Sequence, residues 1–137
     1  MNQAIILILF SILSAYEGFQ EAALDYFSAK VPFDYRKKKW WRKKKHAIYA
    51  TVRLFLIVAL VISFPFWEAV KLAFALALAY PFWHDGVYYA TKNQLAGKQL
   101  YPGGFMGFNN GNALMDFTFG QRLLMLLSSI GLLFIHF

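Results

Sequence analysis

The sequence predicts an all-α fold, a polytopic membrane protein built as a compact bundle of four transmembrane helices. Three observations carry that expectation. In 137 residues, 59% are hydrophobic and 20% aromatic while 15% are charged, against about 45–50% apolar and ~25% charged in a soluble chain. The charges are placed so that four uncharged, largely apolar runs remain, at 4–16, 54–67, 72–83 and 123–135. Between Arg36 and Lys45 the chain reads RKKKWWRKKK, a basic block with two tryptophans set between apolar segments. Eight of the 14 Lys+Arg lie in that block, so the remaining six cations face seven acids and the +7 net charge is local.

Each uncharged run is shorter than the ~20 residues that cross a ~30 Å hydrocarbon core. Each reaches spanning length once one or two polar residues near its end are admitted. Fifteen Phe, eight Tyr and four Trp exceed what a soluble core of this size needs. The absence of Cys excludes disulfides, thiolate metal sites and cysteine nucleophiles. The opening MNQAIILILF lacks a positively charged leader and is not followed by a small-residue cleavage site, so it is read as an uncleaved span.

Helix 1 is expected over about 2–30, ending before Val31-Pro32 because a residue that precedes proline avoids the helical region. A basic inner loop, 31–46, follows. Helix 2 covers about 47–63, with Arg53 its single charge. Phe64-Pro65-Phe66 is a tight hairpin on the far side, and Pro65 suits the first turn of helix 3. Helix 3 covers about 65–96, has Glu68 near its positive dipole end, and passes His84 and Tyr88 to a closing Gly97. The Gly-rich inner loop, 97–112, contains YPGGFMGFNNGN and reads as flexible, since Gly103, Gly104, Gly107 and Gly111 lack the strand and lysine of a phosphate loop. Asn112 is the expected cap of helix 4, which covers about 112–137. The positive-inside rule puts both loops on the cytoplasmic or equivalent inner side and both termini outside.

With that topology, polar residues converge on the inner leaflet. Glu17, Glu21 and Asp25 form one stripe of helix 1. Arg53, His46, His84, Asp85, Asp116 and Arg122 fall at similar depth, while the outer leaflet holds Glu68, Lys71 and His136. Ionised groups in a bilayer cost ~2.5–3.5 kcal/mol at mid-depth and therefore face partners. The favoured reading is a buried ion-pair network of Glu17, Glu21, Arg53, His84, Asp116 and Arg122, with Glu17 on Arg53 and Asp116 on Arg122 or His84. The alternative is catalysis by Glu17, Glu21, His84, Asp85 and Asp116, with a divalent metal on His46, His84 and Asp85. The order His46…His84-Asp85…Asp116 resembles the H…HD…D order of HD-type metal phosphohydrolases over those four residues, and the surrounding sequence does not extend it. Trp83, Tyr88 and Tyr89 are expected in an interfacial aromatic belt.

The basic block is expected to bind anionic lipid headgroups through Arg36, Lys37, Lys38, Lys39, Arg42, Lys43, Lys44 and Lys45, with Trp40 and Trp41 at the interface. Nucleic acid is a second partner open to the same ten residues. No cofactor is required by this reading. The expected function is a structural or assembly role, as a homo-oligomer or a subunit of a membrane complex, with Ser128, Ser129 and Gly131 offered for close helix packing. The alternatives are a membrane-embedded metal-dependent hydrolase of anionic headgroups and a holin-like pore.

Overall fold

Four helices form where the sequence lacks turn punctuation. The computed structural model describes residues 2–30, 35–107 and 117–135, with side chains at 2–28, 47–107 and 117–135. They are α1 (Gln3–Lys30), α2 (Tyr35–Val61), α3 (Phe66–Ala96) and α4 (Phe119–Leu132), with a short 3-10 turn at Gly104–Met106 and no strand among the described residues.

Two boundaries differ from the sequence expectation. Arg36–Lys45 is not loop: it forms the first turns of α2. Lys and Arg are good helix formers, and neither Gly nor Pro interrupts 35–61. The 27 residues of α2 make a rod of about 40 Å at ~1.5 Å per residue. Helix α4 starts at Phe119 instead of near Asn112, which lies outside the described residues. Its cap is Thr118, whose hydroxyl accepts from the Gln121 backbone N–H while the Gln121 side chain accepts from the Thr118 N–H. The pattern T-x-x-Q at 118–121 is the sequence signature of that reciprocal cap. Helix α3 runs through Pro81, which cannot donate to the Ala77 carbonyl, and closes at Gly97 in the left-handed conformation (φ 62°).

Cross-helix pairs set the topology. Gln3 bonds Glu68, Glu21 meets His84 and Asp25 meets Tyr88, so α1 and α3 run parallel. Lys71 reaches the Ile135 carbonyl at one end of the bundle, and Arg122 stacks over Tyr89 at the other, so α4 is antiparallel to α3. Helix α3 is the hub, packing on α1, α4 and, less extensively, α2.

Close approach of α1 to α3 rests on small side chains. Ser14, Gly18 and Ala22 repeat every four residues on α1, opposite a helix that buries Ala75 and Ala79. A Cβ on Gly18 would stand 2.3 Å from the His84 carbonyl oxygen. This is the small-xxx-small geometry that lets two backbones touch. Farther along, Ile6, Leu7, Phe10, Leu72, Leu76 and Ala79 make the apolar core, joined by Leu56, Ile57 and Leu60 of α2 and Leu126 of α4.

The outside of the bundle is more apolar than its inside. Nine hydrophobic residues are buried, whereas twenty-five large hydrophobics are exposed among the described residues, from Ile5, Ile8 and Ile12 on α1 to Leu124, Leu127 and Phe134 at α4. Scattered exposed apolar residues are ordinary on soluble proteins, but contiguous faces of this extent are not. One helix among the described residues, α1 over Gln3–Ser28, is long and apolar enough to cross a membrane, and only 28% of its most apolar window is buried. Ala47–Val61 and Phe119–Leu132 are apolar but shorter.

Because the obstacle at Gly18 is backbone, Gly18→Ala should destabilise the fold by about 1–3 kcal/mol. Gly131→Ala, whose Cβ would meet nothing within 4 Å, should be neutral or stabilising by up to ~1 kcal/mol. Thermal unfolding followed by far-UV circular dichroism separates the two.

Candidate functional site

Two stripes of equal period face each other across the parallel α1–α3 contact. Glu17, Glu21 and Asp25 lie four residues apart on α1, and Tyr80, His84 and Tyr88 four apart on α3. Helical neighbours at that spacing share one face, so parallel packing pairs them as successive rungs.

At the first rung Arg53 of α2 enters. Its Nε donates to Glu17 Oε1 at 3.0 Å, and its guanidinium lies 4.0 Å from the Tyr80 ring centroid. The pair is partly buried, with side-chain exposures of 25% and 18%. At the second rung the His84 ring is held on all sides. Nε2 is 3.1 Å from Glu21 Oε2 and Nδ1 is 2.8 Å from Asp85 Oδ1. Tyr80 stacks on one side (4.7 Å, 21°) and Tyr88 on the other (6.3 Å, 14°). At the third rung the Tyr88 hydroxyl donates to Asp25 Oδ2 at 2.8 Å.

A folded cap closes this end of the bundle. The Asn93 side chain donates to the Tyr101 carbonyl (2.7 Å) and accepts from its N–H (2.8 Å), and the Tyr101 ring stacks on Tyr89 at 4.7 Å. Phe105 lies against Gly86, where a Cβ would sit 2.6 Å from its ring, and edge-on to Phe82. Arg122, fully buried, donates through Nη2 to the carbonyls of Phe105 (3.0 Å) and Gly107 (2.5 Å). Residues 101–107 are therefore a built plug, which corrects the expectation of a flexible Gly-rich loop there; Gly111 lies outside the described residues. Gly103 is needed for its backbone, at φ 86°.

The sequence-nominated residues divide accordingly. Glu17, Glu21, Arg53, His84 and Asp85 come together. Arg122 is near them but binds backbone carbonyls and the Tyr89 face. Asp116 and the side chains of His46 and Arg36–Lys45 lie outside the described residues. No three His, Asp or Glu side chains are placed to hold a metal among the described residues, and each nitrogen of His84 already faces a carboxylate. Trp83, Tyr88 and Tyr89 do not form an outward belt: Tyr89 is buried, Tyr88 bonds Asp25, and Trp83 packs on Phe105. Of the small residues nominated on α4, Ser129 is buried while Ser128 and Gly131 face outward.

Sequence reasoning missed Tyr80, Asn93, Tyr101 and Gly18. The signal for Tyr80 was present, because the 80/84/88 spacing repeats that of 17/21/25. At the far end, Lys71 Nζ lies 2.6 Å from Glu68 Oε2 and donates to the Ile135 carbonyl at 2.9 Å, and the Gln3 amide also donates to Glu68.

Comparison with known proteins found no family model, no curated protein and no solved structure that matches the chain.

Removing one partner of a buried pair strands the other's charge, so Arg53→Met should cost more stability than the double variant Glu17→Gln/Arg53→Met. A double-mutant cycle by thermal denaturation should give a coupling of about 0.5–3 kcal/mol. Arg122→Lys keeps the charge but loses the reach of Nη2 to the two carbonyls and the guanidinium plane over Tyr89, and should destabilise by about 1–3 kcal/mol.

Proposed function

We propose that the chain is an integral membrane protein of four short spans with a structural or assembly role, whose basic helix end binds anionic lipid. The observation that carries this reading is the exposed apolar surface, present on all four helices and larger than the buried core. Lipid accepts such a surface and water does not. The charged and tyrosine-rich rungs lie inside the bundle, where a membrane protein keeps its ionisable groups. They also lie at the end where α1 stops and basic α2 begins, which supports putting the network at the same face as the lysines.

The same geometry favours a tying role for the network. Its carboxylates, guanidinium and imidazole contact one another across three helices, and both His84 nitrogens are engaged. Conduction has less support, because a layer of Ile6, Leu7, Phe10, Leu72, Ala75, Leu76 and Ala79 fills the bundle between the rungs and the Lys71 end. Short spans mismatch an average bilayer and favour association of copies. The lysines of α2 near an anionic leaflet contribute about 1 kcal/mol each.

Alkaline carbonate should leave the protein in the membrane pellet, and in lipid nanodiscs it should run as more than one copy. Release into the supernatant would overturn the membrane reading, and a strictly single copy would overturn self-association. Since the chain has no Cys, single cysteines map its sides directly. Lys98→Cys should react only from the face that carries Arg36–Lys45, and Ser63→Cys only from the opposite face.

A further inference from the structure

Helices α1 and α4 both pack on α3 but touch each other little, and a wedge stays open between them. One wall is the α1 stripe Ala4, Leu7, Ile8, Ser11, Ile12 and Ala15, spaced at three and four residues. Leu126, Ile130, Leu133 and Phe134 of α4 form the other, with Trp83 at the deep end, and the groove measures about 510 Å³. That lies within the ~300–1,000 Å³ of small-molecule sites. From Ala4 to Ala15 is about 16 Å at ~1.5 Å per residue, or one leaflet of a ~30 Å hydrocarbon core.

The shallow end of this groove opens into a second cavity of about 360 Å³, which shares Ala4, Leu133 and Phe134 and adds Asn2, Gln3, Glu68 and Lys71. Its lining changes from apolar to polar at the depth where a lipid changes from chain to headgroup. The Lys71 side chain is 4% exposed. An ammonium has three N–H donors, and Lys71 has two acceptors among the described residues, the Glu68 carboxylate and the Ile135 carbonyl. Among the described residues one donor is left at the cavity wall, suited to a phosphate oxygen. Among the described residues that line this cavity, Lys71 and Glu68 are the ionised side chains and their charges cancel, so a headgroup of zero net charge suits it.

The geometry points to a structural lipid site: one zwitterionic phospholipid, with an acyl chain in the α1–α4 groove and its phosphodiester on Lys71. This rests on the membrane reading above and adds a site at the end opposite the basic helix, one that takes a headgroup of no net charge instead of an anionic one. A second copy's helix is the competing occupant, but a helix would leave Lys71 without a phosphate acceptor.

Native mass spectrometry of the full chain in mild detergent, after exchange into mixed phosphatidylethanolamine and phosphatidylglycerol, tests it. One phosphatidylethanolamine per chain should be retained. Lys71→Met should lower the bound fraction by about tenfold, the change that ~1.4 kcal/mol gives. Ser11→Phe, which fills the groove and spares the mouth, should also release the lipid while leaving the helical circular dichroism spectrum intact. Retention that is absent, equal for both lipids, or unchanged in both variants would overturn the site. Cross-linking of an Ile8→Cys copy to an Ile130→Cys copy at the expense of bound lipid would assign the groove to self-association instead. A chain that stays in solution without detergent would sink the membrane reading itself; one that needs detergent but keeps no lipid would sink the site alone.

Discussion

The close contact between α1 and α3 at Gly18 and His84 is the constraint on which the rest of this structure depends. A hydrogen in place of a side chain lets the α1 backbone reach the His84 carbonyl, and this distance decides which longer side chains can meet. Short carboxylates on α1 then reach an imidazole and a phenol on α3, without water or a third helix between them. A larger residue at 18 would hold the helices apart and break the Glu21–His84 and Asp25–Tyr88 contacts. Buried polar groups are costly unless they are partnered. Packing and polar satisfaction are one condition here, set by the smallest residue on the interface.

Around that contact the molecule is layered along its axis. Charged and tyrosine-rich rungs with a folded plug occupy one end, an apolar core the middle, and the Gln3–Glu68–Lys71 cluster the other. Buried Arg122 ties the plug to α4 through backbone carbonyls, which cannot titrate away and are always available as acceptors. The charge-bearing rungs are instead tied side chain to side chain.

Much of the helical architecture was legible in the sequence, and the reasons are specific. Val31-Pro32, Pro65 and Gly97 punctuate the chain strongly, so α1 and α3 stand within a residue or two of their expected limits. The meeting of Glu17 with Arg53 was legible because a charge inside an apolar run has few places to go. What the sequence hid was decided by neighbours. Residues 101–107 carry the composition of a flexible loop, yet Asn93, Phe105 and Arg122 hold them in one conformation through contacts that no local pattern encodes. The basic decapeptide has the look of a loop because it stands between apolar runs just after Val31-Pro32, whereas its helix propensity is high. Residue type alone places Trp83, Tyr88 and Tyr89 at the surface, whereas Tyr88 bonds Asp25 of α1 and Tyr89 is covered by Tyr101 and Arg122.

Continuity of α2 has a mechanical consequence. A loop between the basic block and the bundle would let the lysines settle anywhere within reach, and nothing they touched would be felt inside. A helix has no such slack. From Lys45 to Arg53 is about 12 Å of unbroken rod, and Arg53 is the residue that bridges Glu17 and the Tyr80 ring. The height and tilt of the basic segment are thus passed to the first rung as a rigid lever passes displacement. The basic segment and the interior of the bundle are two ends of one stiff element.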